Sequence, residues 1–378
     1  MRDGFLLADT DAHMMEPNWL WERYMEDEFQ DRAPKMGKAP DSGRRTFIVE
    51  GESFTREKGP YPMAAPAFLN AAENAMERFD RVRSKKYSAE GRLEDMDEHG
   101  VDVQILFPTR VGQMLGRDFR DTKLLAASVR AYNNWAAEYT VPSPDRLRWA
   151  AALPMQDVNE AIDEARRTDE LGCVGYYMRP NPVAGRTLWH RDYDPLWEVV
   201  QATGKPIATH DSASSSVPSF GDRMETHTAG HILSHPFEAM AAMAGLIWFG
   251  VLERFPELKV IQIEGDAGWV PYWLQRMEQH WQFSGNAEHE YLTMRPTEYF
   301  RRNMMVGFRG DEPTMKAAID IVGDDNFTWD TDYPHPDGTF PWGIESMLDQ
   351  PLSEESKRKL LWDNAARMFN LEQMATLS

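Results

Sequence analysis

One cysteine, Cys173, is all the thiol chemistry that 378 residues contain. A lone thiol excludes an internal disulfide and any thiolate-rich zinc site, and its place at the head of an apolar run suits a buried strand-start residue. Positive charge is scarce as well, with 41 Lys and Arg against 61 Asp and Glu and a formal net charge of −20. A surface of that sign repels nucleic acid and anionic membranes, so the expected partner is a small-molecule substrate and neither of those. No apolar run approaches the roughly 20 residues that span a bilayer. The opening residues carry no basic stretch leading into a long apolar one, so a cytoplasmic location is expected. A G-x-G-x-x-G loop after the first strand, a P-loop, a G-x-S-x-G elbow and a Cys/His nucleophile pair are also missing.

What is present is a globular composition, 42% hydrophobic and 27% charged. The length is large for one ordinary domain and typical of an α/β barrel with insertions. The 13 Trp and 22 Met suit a thick core and a subunit interface. The expected assembly is a homo-oligomer, or a hetero-oligomer with a paralogous chain.

Short apolar or β-branched runs at Phe5–His13, Val101–Pro108, Leu147–Pro154, Val174–Met178, Pro206–His210, Val260–Glu264, Met304–Phe308 and Phe327–Asp332 read as strands. Helix-like segments alternate with them: Asp121–Tyr139, Val158–Leu171, Pro195–Thr203, Pro236–Phe255, Trp269–Phe283 and Glu312–Val322. Eight strands with helices between them predict a (β/α)8 TIM barrel. A doubly wound open sheet is the alternative, weakened by the missing glycine fingerprint. The chain 1–378 is expected to form a single domain, with insertions after strands one and five at about 14–90 and 211–235. The first contains RRTFIVEGESFT, a hairpin turning at Glu50-Gly51; the second contains the Ser-rich DSASSSVPSF. Both leave the C-terminal ends of strands, the catalytic face of barrel enzymes, and read as lid or pocket elements.

The chemistry begins in FLLADTDAHMMEP. On a strand, residues two apart share a face, so Asp11 and His13 aim at one point. A carboxylate and an imidazole there form a half-site for a divalent ion. Strand five ends at His210 and strand eight at Asp332, followed by His335. In a barrel these ends meet over the axis, and nitrogen with carboxylate donors suits Zn, Mn or Fe.

The segments DTDAHMMEP, VDVQILFPT, ATHDS, HPFEAM, GVLERFPELKVIQIEGDAGWVPYWLQRMEQHW and WDTDYPHPDG resemble the amidohydrolase-related family that includes aminocarboxymuconate semialdehyde decarboxylase and γ-resorcylate decarboxylase. The resemblance covers most of the chain outside the two insertions. It implies a metal-dependent amidohydrolase-like barrel with Asp11, His13, His210 and Asp332 as ligands, Asp332 also moving a proton. It further implies a histidine after strand six, in a His-Gly-Gly setting, as an acid–base group. This chain reads IEGDAG there, so Glu264 stands in that place. A carboxylate at that point can be a general base, a partner of a histidine ligand, or a ligand to a second metal.

Further candidates surround this set. Glu16 either returns to the metal or favours the dipole of the helix it begins. His227, His231 and His235 recur every four residues, and His235 is the one expected to enter the pocket as a catalytic group. His280 and His335 are candidates for a second metal or for acid–base work, and Arg110 for anchoring an acidic substrate. Three function classes follow. The first is a metal-dependent hydrolase or nonoxidative decarboxylase with one ion, in which Asp332, Glu264 and His235 are catalytic. The second is a dinuclear Mn/Fe or di-iron oxygenase on the same barrel. The third is a non-catalytic paralogous subunit, disfavoured by the intact ligand set.

Overall fold

The computed structural model describes residues 1–38, 45–53, 84–211, 219–284, 287–335 and 337–371. Along them run β1 (Ala8–Met14), β2 (Lys35–Lys38), β3 (Arg45–Val49), β4 (Glu52–Ser53), β5 (Val103–Pro108) and β6 (Leu147–Ala152). There follow β7 (Gly175–Met178), β8 (Ile207–Thr209), β9 (Val260–Gln262), β10 (Met304–Arg309) and β11 (Phe327–Asp330). β1 and β5 to β11 form one sheet of eight strands in sequence order, every neighbouring pair parallel. Such strands are covered on both faces, which is why runs such as VQILFP in β5 are buried at every position.

The sheet closes on itself. Ala12 bridges Tyr333, the His13 amide donates to the Tyr333 carbonyl at 2.6 Å, and the Asp332 amide donates to the Asp11 carbonyl at 2.8 Å. Thr10 Oγ1 adds a bond to the Trp329 carbonyl at 3.1 Å. The result is the expected TIM barrel.

Helices cover the outside and are capped as their sequences require. Asp121 accepts from the amides of Lys123 and Leu124 ahead of Thr122–Tyr139, and Asp157 does the same for Val158–Glu170. The C-terminal helix Asn364–Phe369 shares one buried hydrophobic cluster with β1. Cys173 is buried as expected, just before β7, and burial pushes its thiol up to about 11. No helix among the described residues is long and apolar enough to cross a membrane.

The insertion after β1 contains the expected hairpin. β3 pairs antiparallel with β4, and Glu50 and Gly51 at its tip have φ of 52° and 79°. Two consecutive positive values give the loop twist that tight hairpins favour. β2, which sequence patterning did not reveal, adds a third strand against β3. Residues 39–44 and 54–83 of this insertion lie outside the described residues.

The second insertion needs a correction. Residues 212–218 lie outside the described residues, and the helix expected from Pro236 starts at His227. Thr226 caps it, its hydroxyl accepting from the Ala229 amide at 3.2 Å, and Pro236 sits inside. Pro at the first helical position is a common start, but the Thr226 cap offers an earlier one, and the longer helix tolerates the single backbone donor that Pro lacks. The helix stops at Trp248, where Gly250 at φ 69° separates it from the short turn Val251–Arg254.

Candidate metal centre

The strands end one or two residues before the chemistry. β8 stops ahead of His210, β9 ahead of Glu264 and β11 ahead of Asp332. Glu264 and Asp332 have φ of 53° and 56°, left-handed values no ladder accepts and non-glycine residues seldom adopt. The backbone therefore leaves the sheet there and points both carboxylates into the barrel mouth.

Four donors converge first. His13 Nε2 lies 3.2 Å from Asp11 Oδ1, 3.3 Å from Asp332 Oδ1 and 3.2 Å from His210 Nε2. His210 Nε2 lies 2.7 Å from Glu264 Oε2. The tautomers follow from the opposite edges of the rings. His13 Nδ1 is 3.1 Å from the Pro108 carbonyl, and His210 Nδ1 is 2.5 Å from the Asp211 carbonyl. A carbonyl only accepts, so each Nδ1 carries a hydrogen; the neutral His13 ring turns a bare Nε2 lone pair toward Asp11 and His210, while His210 Nε2 faces the Glu264 carboxylate.

Both carboxylate oxygens of Asp11 are buried and lack a hydrogen-bond donor. Buried acceptors facing acceptors are unstable unless a cation sits among them, so these residues fit a divalent ion. Burial pushes Asp11 up to about 7 and Asp332 well above the usual carboxylate range, the Glu264 charge adding to both. Burial, helped by the neighbouring histidines, holds the His13 imidazole well below its ordinary value, the neutral form that ligates metals. For His210 burial acts in the same direction, but the charges of Glu264 and Asp11 outweigh it and raise the ring to about 10.

Glu264 extends the set. Its Oε2 is 3.3 Å from His235 Nε2 and its Oε1 3.5 Å from His231 Nε2. The two imidazoles, one helical turn apart, stack at 4.0 Å. On the opposite side His335 Nδ1 lies 2.7 Å from Asp332 Oδ1, its ring stacks on His13 at 4.1 Å, and its Nε2 lies 3.1 Å from Thr109 Oγ1. Three overlapping groups result: Asp11, His13, His210 and Glu264; His13, Asp332 and His335; His231, His235 and Glu264. Within each, the donor atoms lie no more than 4.8 Å apart.

Three expected residues stand elsewhere. Glu16 does not return to the centre. It accepts from the amides of Thr109 (3.1 Å), Arg110 (2.8 Å) and Val111 (3.0 Å), closing the start of the helix Arg110–Leu115. Those backbone donors saturate its oxygens. Arg110 contributes its amide there, while its guanidinium turns to Asn18 Oδ1 at 2.7 Å rather than to the pocket. His280 is exposed on the helix Val270–Ser284 and donates through Nδ1 to the Arg276 carbonyl at 2.9 Å, so it is not a ligand at this centre.

His231 was passed over in the sequence and joins the cluster; the side chain of His227 lies outside the described residues. Asp211 was also missed: it is buried beside His235, with Oδ2 3.9 Å from His235 Nδ1. The Asp9 carboxylate, deeper in the barrel, accepts from the Thr331 amide and hydroxyl at 3.0 and 2.6 Å. It too was passed over in the sequence, although its two-residue spacing from Asp11 is a signal that could have found it.

A parallel barrel with histidines and carboxylates gathered at its C-terminal mouth belongs to the class of TIM barrels that carry a candidate metal site there. The amidohydrolase profile matches residues 8–371, and the chain belongs to the amidohydrolase family. A 2-amino-3-carboxymuconate-6-semialdehyde decarboxylase of Dictyostelium discoideum is 27% identical over 78% of this chain and 80% of its own length. A gamma-resorcylate decarboxylase of Polaromonas sp. is 27% identical over 75% of this chain and 87% of its own. The crystal structure of a dihydroxybenzoic acid decarboxylase from Polaromonas sp., with bound manganese and the inhibitor 2-nitroresorcinol, superposes with a TM-score of 0.67. It covers 97% of this chain and 98% of that one at 21% identity.

Proposed function

We propose that this chain is a divalent-metal-dependent enzyme that removes the carboxyl group of a small, hydroxylated or enolic carboxylic acid without an oxidant. One observation carries the metal: the Nε2 atoms of His13 and His210 converge at 3.2 Å beside the buried, donor-free oxygens of Asp11. Asp11, His13, His210 and Asp332 would hold the ion, and Mn, Zn or Fe suits such a set. When bound, the ion polarises a substrate oxygen and neutralises charge developing on it.

The relatives' names support decarboxylation over hydrolysis. The bond between the carboxyl carbon and its neighbour breaks, the neighbour keeps the electron pair, and CO2 departs. That carbon must then take a proton. Asp332 and His335, 2.7 Å apart, form the pair from which it comes, and water returns the proton afterwards. Glu264 holds the ring edges of His210, His231 and His235 in place of the family's histidine.

A second reading has its own observation. His231, His235 and Glu264 form a separate donor group that shares Glu264 with the first. A carboxylate placed between two sets of imidazoles is what a two-ion site needs, and a Mn/Fe or di-iron oxygenase is the corresponding chemistry. Incubating the Mn2+-loaded protein with a panel of ortho-hydroxybenzoic acids and following CO2 tests the first reading. Release of CO2 without O2 supports it; an inert panel combined with O2- and iron-dependent hydroxylation would replace it with the second.

A further inference from the structure

Neighbouring strands of the barrel are joined by runs of backbone pairs, but among the described residues the join of β11 to β1 has a single bridge, Ala12 to Tyr333, with the amide bonds of His13 to Tyr333 and of Asp332 to Asp11. The candidate donors straddle that seam, Asp11 and His13 on one lip and Asp332 on the other. The His13 Nε2 to Asp332 Oδ1 separation of 3.3 Å is thus set across the least-paired join of the sheet.

Arg92 lies directly behind the seam, 3% exposed, in the helix Ala89–His99. One Nη donates to the His13 carbonyl and the other to Gln104 Oε1 at 2.8 Å, while Nε donates to Tyr139 Oη at 3.2 Å. Its guanidinium carbon sits 4.7 Å from the centroid of the Tyr333 ring. One turn further along, Asp95 accepts from the Tyr333 hydroxyl at 2.7 Å and from Lys85 Nζ at 2.6 Å.

The helix therefore grips both lips: the carbonyl of His13 through Arg92, and the residue after Asp332 through Arg92 and Asp95. Gln104 carries the connection inward, donating to Asp9 Oδ2 at 3.0 Å, and Asp9 accepts from Thr331 across the seam. Among the described residues Arg92 pairs with no carboxylate. A buried guanidinium without a counter-charge is costly, and a planar fork holding three fixed partners is the property that offsets the cost.

We propose that Arg92, braced by Asp95, is a positioning residue that fixes His13 against Asp332 and so sets how tightly the centre holds a divalent cation. The proposal rests on the metal reading above. Mn2+ binding to the metal-stripped full-length protein, followed by the EPR signal of free Mn2+, tests it. Partners of ligands typically change metal affinity by about 10–100-fold, so Arg92→Met should weaken Mn2+ by that much and alter the bound-ion spectrum. Arg92→Lys, which keeps a cation over Tyr333 but loses the fork, should recover part of the loss. Tyr333→Phe, which removes only the bond to Asp95, should weaken binding by about threefold, less than a ligand partner's usual effect.

If Arg92→Met does not fold, the Lys and Phe variants decide. Wild-type affinity and an unchanged bound-ion spectrum in both would overturn the positioning role and leave the metal reading standing. No Mn2+ binding by the wild type would overturn the metal reading and this proposal together.

Discussion

Glu264 holds more of the site together than any other single residue. Burial opposes its charge, but His235 and His210 outweigh that and hold the carboxyl well below the usual range, so it is a fixed anion among imidazoles. With one ion at Asp11, His13, His210 and Asp332, Glu264→Gln should leave metal content unchanged and slow turnover by about 100-fold, a typical acid–base contribution. Loss of one ion from a two-ion protein would instead identify Glu264 as a bridge. Glu238, on the helix that carries His235, gives a different test. Burial, joined by the Asp211 charge, raises its carboxyl from 4.5 to about 7. The folded state therefore binds more protons than the unfolded state between those values, so stability falls as pH rises through that window. Glu238→Gln should flatten that part of the stability–pH curve, measured by urea unfolding; an unchanged slope would contradict it.

Elements were legible where their signals are local. The eight barrel strands are short apolar runs ended by turn residues, and each appears within a few residues of its expected place. The fate of Glu16 was not legible, because the amides it caps lie at Thr109 to Val111 and nothing near Glu16 in the sequence announces them. Candidate ligands separated by two residues on a strand, such as Asp11 and His13, were readable from period alone. His231 was not, since its facing depends on a helix that begins earlier than Pro236 suggests. That start rests on Thr226, whose hydroxyl caps the helix. Thr226→Ala should cost about 1 kcal/mol of stability, typical for a lost cap, and weaken the hold on His231 and His235. Thermal unfolding with unchanged midpoint would show that Pro236 alone defines the helix.

At the scale of the molecule, the barrel brings chain positions from Asp11 to Asp332 to one mouth, and the closure between β1 and β11 makes them neighbours. No local pattern states that closure; it follows from eight strands in order and the twist that curls them. The family and the barrel were legible, and so was the meeting of Asp11, His13, His210 and Asp332 at one mouth, because each stands at or just past a strand end. The role of Glu264 was left open among base, histidine partner and second ligand, and the structure gives it contacts with three histidines. The central claim is that those four donors hold a divalent ion. Elemental analysis of protein purified without chelator or added metal, wild type beside His210→Ala, tests it most directly. The account predicts about one equivalent of Mn, Zn or Fe in the wild type, as a single site with an open position requires, and a small fraction of that in the variant with its circular dichroism intact. A wild type that stays metal-free even after Mn2+ loading, or a variant that keeps its full complement, would contradict it.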